Sequence, residues 1–192
     1  MRANQEIEIK FCVKNLRRLN QALHAAGFRL ITRRTHEINT LFDLPGQVLR
    51  KRGELFRLRE YGGKWVLTHK SKGKAGRHKV RIELETEVSS GIKMELILRA
   101  LGFLPTFRYE KYRAEWADRT GHIVVDETPI GNFGEIEGPS RWIDRTARVL
   151  QISPDGYLTS TYSDLFFEWK KDTGSAAKNM TFHDVETSRR RR

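Results

Sequence analysis

Glu6-Ile7-Glu8-Ile9-Lys10 alternates charged and aliphatic side chains. A strand repeats every two residues, so Glu6, Glu8 and Lys10 share one face, with Ile7, Ile9 and Phe11 on the other. The pattern recurs down the chain. Its ionic positions are Arg57 and Arg59, Thr68 and Lys70, Arg81, Glu83 and Glu85, Lys111, Arg113 and Glu115, Asp126, and Glu135 and Glu137. The opposite positions hold Phe56, Leu58, Trp65, Leu67, Ile82, Leu84, Tyr112, Trp116, Ile123, Val125 and Ile136. Strands are expected over 5–12, 28–43 (broken), 54–60, 64–70, 78–88, 106–117, 121–127 and 133–138, with 60–63 as a hairpin turn.

Helical spacing replaces the alternation in three places. Segment 14–26 carries Leu16, Leu19, Leu23 and Ala26 on one stripe and stops at Gly27, and segment 90–101 carries Met94, Ile97, Leu98 and Leu101 and stops at Gly102. Pro139 is placed to open a third helix over 139–152. Glu8 and Glu83, Ile7 and Ile82, Gly27 and Gly102, and Phe28 and Phe103 are each 75 residues apart. Each half thus reads strand, helix, Gly-Phe, strand, and two related halves would join in one antiparallel sheet.

Two architectures fit one ionic and one apolar sheet face. A sandwich would bury the apolar faces against each other and wet the ionic ones. A closed barrel would turn the ionic faces into a polar lumen and cover its apolar outside with helices. The apolar helix stripes need a surface to pack on, which favours the barrel: an α+β chain, mainly β, with flanking helices. Carboxylates two residues apart on a strand are about 7 Å apart, and at an effective dielectric near 20 they repel by roughly 2 kcal/mol. A hard divalent cation, Mg2+ or Mn2+, is the natural counter to several such pairs. The clustered arginines and lysines call for a phosphate-rich ligand in the same way.

Size and composition fit this reading. With 192 residues, 38% of them hydrophobic, one well-buried domain is expected. The net charge of +12, still +8 without Arg189–Arg192, points to polyanionic partners. Cys12 is the only cysteine, which excludes an intrachain disulfide and a cysteine-rich zinc site and fits a cytoplasmic protein. No segment reads as a signal peptide or membrane span. Segment 71–78 is basic and Gly-rich, either a surface turn or a loop closing over a phosphate. The domain is expected to span 1–173, and 174–192 to be a disordered basic tail.

In chain order these motifs resemble the CYTH family, the triphosphate tunnel metalloenzymes. Glu6-Ile-Glu-Ile-Lys10 is similar to the family's Glu-x-Glu-x-Lys; Leu49-Arg-Lys-Arg-Gly-Glu-Leu-Phe-Arg-Leu-Arg59 to its basic segment; Trp65-Val-Leu-Thr-His-Lys70 and Arg81-Ile-Glu-Leu-Glu85 to later strands. Lys111-Tyr-Arg113 and Gly134-Glu-Ile-Glu137 fill the late positions, and Thr159 to Leu165 looks most like the class IV adenylate cyclase branch. The resemblance implies an eight-stranded antiparallel closed tunnel. It implies that Lys10, Arg57, Arg59, Lys70, Arg81, Lys111 and Arg113 hold a triphosphate, with Lys170 or Lys171 near the tunnel end. Glu6, Glu8, Glu135 and Glu137 would hold the metal, with Asp126, Glu83 and Glu85 as further candidates.

The chemistry expected is metal-assisted attack at phosphorus, with Lys70 or Lys111 as a candidate base. Cyclisation of ATP to cyclic AMP and pyrophosphate, and hydrolysis of inorganic, thiamine or nucleoside triphosphate, both use such a tunnel. The six histidines lack ligand spacing and read as structural or exposed. The competing reading is a nucleic-acid or polyphosphate binding module without catalysis, which explains the net charge but not why acidic pairs share faces with arginines. No membrane partner is expected, and a homodimer is left open.

Overall fold

The computed structural model describes residues 4–74 and 76–190. The strands are β1 (Asn4–Cys12), β2 (Arg29–Asp43), β3 (Leu55–Tyr61), β4 (Lys64–Lys70), β5 (Lys79–Val88), β6 (Leu104–Ala117), β7 (His122–Thr128) and β8 (Gly131–Glu137). The helices are α1 (Leu16–Ala25), α2 (Val48–Lys51), α3 (Gly91–Ala100), α4 (Ser140–Val149), α5 (Tyr162–Thr173) and α6 (Phe182–Arg190). The eight strands close into one antiparallel barrel in the order β1-β5-β4-β3-β2-β6-β7-β8. Among the described residues no helix is long and apolar enough to cross a membrane.

The repeat of 75 residues is a property of the fold. Exchanging β1–β4 with β5–β8 leaves the strand order unchanged, because β1 pairs with β5 and β2 with β6. The two halves also stop their helices alike. Gly27 (φ +85°) and Gly102 (φ +89°) take the left-handed backbone that glycine adopts without a Cβ penalty. The next amide then turns back, Phe28 N–H to Leu23 O at 3.0 Å and Phe103 N–H to Leu98 O at 2.9 Å. Pro139 caps α4 from just outside rather than standing in its first turn: its carbonyl accepts from Trp142 and Ile143.

The alternation has the polarity expected of a barrel. α1 and α4 lay Leu19, Leu23, Trp142 and Ile143 on the outward Ile9, Trp116, Ile123 and Ile136, and α3 brings Leu98 against Leu58 and Phe42. Inside, the register sets ionic residue beside ionic residue: Lys10 opposite Glu135, Glu8 opposite Glu137, Glu6 opposite Arg81, Lys70 opposite Glu83, and Arg113 opposite Asp126.

Besides the short α2, two C-terminal elements were not expected. Tyr162 opens α5 behind a capping box, in which Thr161 and Asp164 satisfy each other's backbone amides. Residues 174–190, expected to be a disordered tail, fold onto the barrel; the last two arginines of that tail lie outside the described residues. Where β6 runs on beyond its pairing with β7, Met180 lies beside Tyr109, donates to Arg108 O and accepts from Glu110 N, each at 3.0 Å. Met180 and Val185 then bury with Phe107, Tyr109, Phe133, Tyr162 and Phe166. By strand parity Phe107, Tyr109 and Phe133 continue the inward faces of Lys111 and Glu135. One end of the lumen is therefore apolar and packed, and the rest is ionic. Met180 is fully buried, so Met180→Ala is expected to cost about 2–5 kcal/mol in urea unfolding. Lys178→Ala, on the exposed side of the same segment, is expected to stay within about 0.5 kcal/mol of the parent.

Candidate active site

The ionic lumen is a cavity of about 200 Å³. Eight cations line it, Lys10, Arg57, Arg59, Lys70, Lys79, Arg81, Lys111 and Arg113, against six carboxylates, Glu6, Glu8, Glu83, Glu85, Glu135 and Glu137. Positive charge is in excess, so the cavity favours an anion. Lys10, Arg57, Arg59, Lys70, Arg81, Lys111 and Arg113, all expected to bind phosphate, are on this wall, as is every expected metal ligand except Asp126.

Asp126 lies under the wall and is fully buried. It accepts from Lys111 Nζ at 3.0 Å, from both Arg113 Nε and an Arg113 terminal nitrogen at 2.7 Å, and from the Tyr162 hydroxyl at 2.6 Å. Its oxygens are thereby committed to holding cations in place. Glu37, which the broken pattern of 28–43 concealed, does the same from β2. It is fully buried, 3.3 Å from Lys111 Nζ and 3.7 Å from Arg113 Nε, and accepts from Asn39. Burial opposes its charge, but Lys111 and Arg113 outweigh burial and bring it down to about 2. The Tyr162 ring lies under Lys10 and Lys111, 4.2 and 4.8 Å from their nitrogens.

The remaining carboxylates are distributed among the cations. Glu135 bonds Lys10 and Arg113; Glu6 is 2.7 Å from Lys70, Glu8 3.4 Å from Lys79, and Glu85 3.3 Å from Arg57. Among the described residues no three carboxylates converge to hold a metal ion. Crowding is nonetheless evident at Glu137, directly across from Glu8: burial, reinforced by Glu6, Glu8 and Glu135, pushes it up to about 7. Burial and the neighbouring Glu6 and Glu85 bring Glu83 to about 7 as well. Cations are crowded too. Burial, Arg57 and Arg113 hold Arg59 below its ordinary value, and burial with Lys10 and Arg81 does so for Lys79.

Among the described residues three guanidiniums of the lumen are left incomplete. The Nε groups of Arg57, Arg59 and Arg81 are buried with no hydrogen-bond partner. Such groups carry a desolvation cost until an acceptor reaches them.

These contacts bear on two expectations. Burial, which would lower the value of Lys70, is outweighed by Glu6 and Glu83, so Lys70 is held above the ordinary lysine range, which disfavours it as a base. Neither Lys170 nor Lys171 lines the cavity; α5 contributes Thr161 and Tyr162 instead. Lys79, two residues before Arg81, and His122, two before Val124, were readable from parity but not singled out. None of the described residues of loop 71–78 lines the cavity, and the end of the loop is tied down by Asp144, 2.9 Å from His78 and 3.2 Å from Arg77.

Opposite pKa shifts predict how stability depends on pH. Glu37 and Glu135 are depressed, so their contribution is present above the ordinary carboxylate value of 4.5 and lost as pH falls through their folded values. Glu83 and Glu137 are raised, so stability is lost as pH rises from 4.5 through about 7. In chelator, urea unfolding is expected to show greater stability at about pH 5 than at about pH 3 or pH 8. A monotonic rise to pH 8 would contradict the crowding.

A closed β-barrel whose lumen is charged, cation-rich and lined by unpaired arginine donors defines a tunnel protein for a polyanion. The chain belongs to the CYTH domain family, whose domain it matches over residues 4–152. A protein of Methanocaldococcus jannaschii named "Putative adenylate cyclase" is 25% identical over 171 residues, 83% of this chain and 97% of that one. A Vibrio parahaemolyticus structure also called a putative adenylate cyclase superposes with a TM-score of 0.77 at 18% identity, over 86% of this chain and 99% of that chain. A structure from Hippeastrum, described as a putative adenylyl cyclase with a dominant triphosphatase activity, gives 0.65 at 19%, over 85% and 95%. At these identities the solved structures establish the shared fold.

Proposed function

We propose that the tunnel binds a small-molecule triphosphate with Mg2+ or Mn2+ and promotes cleavage of one of its phosphoanhydride bonds. The observation that carries this is the set of buried, unpartnered Nε groups on Arg57, Arg59 and Arg81, donors whose natural complement is phosphate oxygen. Lys10, Lys70, Lys111 and Arg113 surround the same cavity, so charge developing on the phosphoryl oxygens would meet a fixed cationic wall. Family membership and the names of the relatives support the same reading.

Glu6, Glu8 and Glu137 would hold the divalent ion by drawing together around it, with Glu6 and Glu8 exchanging their contacts to Lys70 and Lys79 for the ion. They offer hard oxygen donors on adjacent strands, and the raised value of Glu137 marks a carboxylate group short of positive charge. The ion would supply a Lewis acid toward the phosphoryl oxygens. Glu135 is engaged by Lys10 and Arg113 and so serves the phosphate wall. Proton acceptance would fall to Glu83, which is not among the three carboxylates at the ion and is pushed up to about 7 by burial and by the neighbouring Glu6 and Glu85. Glu8→Ala is expected to abolish the Mg2+-dependent part of turnover and to weaken the stabilisation that Mg2+ gives at neutral pH, both measured against the parent.

Enclosure argues against nucleic acid, because the excess cations of the lumen are inside a barrel rather than on an exposed stripe. The test is to incubate the protein with ATP, tripolyphosphate and thiamine triphosphate in separate Mg2+ and Mn2+ reactions and identify the products by chromatography. Cyclic AMP with pyrophosphate, or orthophosphate, supports the proposal and assigns the reaction; binding without any product overturns the enzyme reading.

A further inference from the structure

Tyr162 enters the tunnel from α5, beyond the residues 4–152 that match the CYTH domain. Its ring centre is 4.2 Å from Lys10 Nζ and 4.8 Å from Lys111 Nζ, so one aromatic ring serves two ammonium groups. We propose that Tyr162 is a positioning residue: the negative face of its ring places Lys10 and Lys111 for the phosphates without adding a formal charge that would repel them. The proposal rests on the triphosphate reading above and concerns how two cations of that site are aimed.

Both lysines also have carboxylate neighbours. Lys10 bonds Glu135, and Lys111 lies 3.3 Å from Glu37 and 3.0 Å from Asp126. A carboxylate holds a cation well, but it cancels a unit of the charge that is to meet a polyanion. An aromatic face attracts the cation through its quadrupole instead. A phenol that lost its proton would forfeit this advantage. Burial, reinforced by Asp126 and Glu135, pushes the Tyr162 hydroxyl well above the ordinary tyrosine value, so it stays neutral. Its proton goes to Asp126 Oδ2 at 2.6 Å, the oxygen that also accepts from Lys111 and Arg113.

The ring is held in place by its own neighbours. Tyr109 stacks on it with centres 5.7 Å apart, and Phe133 meets it edge-on at 5.8 Å. The capping box of Thr161 and Asp164 sets the backbone at this point, and Phe166, one turn further along α5, buries with Met180 and Val185. The folding of 174–190 onto the barrel is thereby connected to where two tunnel cations stand. Without the ring's face, Lys10 and Lys111 would settle onto Glu135, Glu37 and Asp126, and their charge would be turned from the cavity.

The test keeps the shape of the ring and changes its face. The parent, Tyr162→Phe, Tyr162→Leu and a protein with pentafluorophenylalanine in place of Tyr162, whose ring face is electron-poor, are titrated calorimetrically with an uncleavable methylene-bridged tripolyphosphate analogue and Mg2+. Thermal unfolding reports the fold of each. Tyr162→Phe keeps the face and should bind close to the parent. The pentafluoro protein and Tyr162→Leu should each bind about tenfold more weakly than Tyr162→Phe. Phenylalanine and its pentafluoro analogue pack nearly alike, so this pair decides the matter even where Tyr162→Leu fails to fold. Equal affinity of the pair would mean that the ring only packs, and a Tyr162→Phe protein as weak as the pentafluoro one would mean that the hydroxyl does the placing; either result overturns the proposal and leaves the tunnel reading intact. Failure of the parent to bind the analogue would overturn both.

Discussion

Arg59→Ala is expected to lower kcat/KM for the triphosphate by about 10²–10³-fold without lowering the stability of the metal-free protein. The two effects separate because of where Arg59 sits. Its Nε is buried without a partner among the described residues, where its one carboxylate within ion-pair range is Glu85 at 3.7 Å, which Arg57 approaches more closely at 3.3 Å. Burial and the charges of Arg57 and Arg113 hold it below the ordinary arginine value, so its charge opposes folding. Removing it relieves that repulsion and deletes one donor to the substrate. Arg57 makes an instructive contrast: it bonds Thr68 and Glu85 and is 4.0 Å from Glu83, so Arg57→Ala should lose stability as well as activity. Steady-state kinetics together with urea unfolding of both variants check this. An Arg59→Ala protein with parental kcat/KM would remove Arg59 from the site and weaken the case that the orphan donors await phosphate.

Such a residue shows how the charge of the lumen is divided between function and folding. Asp126, Glu37 and Glu135 hold Lys10, Lys111 and Arg113 firmly, and these cations have their partners within the protein itself. Arg59, Arg81 and Lys79 on one side, and Glu83 and Glu137 on the other, are held in less favourable surroundings. The second group is where a metal–triphosphate complex would recover energy on binding, since it brings both missing charges at once.

Strand periodicity made most of this legible, because inward position follows parity along each strand and needs no knowledge of the neighbours. Glu6, Glu8, Lys10, Arg57, Arg59 and Lys111 all face the lumen as their alternation required. Parity alone does not separate a barrel from a sandwich; the apolar stripes of α1, α3 and α4 did that. The apolar end of the lumen was hidden for a related reason. Phe107, Tyr109 and Phe133 keep the inward parity but not the polarity, so they read as breaks in the pattern. Residues 174–190 have little apolar periodicity of their own, and their order depends on Met180 finding the free edge of β6 beyond β7. The charge state of Lys70 was likewise out of reach, since it depends on Glu6, 64 residues away in sequence and adjacent only once the barrel closes.

Glu37→Ala is expected to lower the unfolding free energy at neutral pH by about 3–5 kcal/mol. Glu37 is fully inaccessible, and the cations it serves are nearly so, Lys111 being 1% exposed. Truncation would leave Lys111 and Arg113 to share Asp126, with Glu135 reaching only Arg113, and would strip Asn39 of its acceptor. Buried cations deprived of a partner lose Coulomb attraction without regaining water, which is why breaking one member of a buried network costs more than the network is worth as a whole. The pH dependence provides an internal control. Glu37 has its folded value near 2 against an ordinary 4.5, so the stability it contributes is complete above 4.5 and fades as pH falls toward 2. The deficit of the variant should therefore be largest at neutral pH and shrink in acid, and Glu37→Gln, which keeps the volume and an acceptor for Asn39, should lose less than Glu37→Ala. Urea titrations of the three proteins at about pH 7 and about pH 3 measure this. A deficit under about 1 kcal/mol at neutral pH, or one that grows in acid, would mean that Asp126 alone holds the cations and that Glu37 is a bystander beneath the wall.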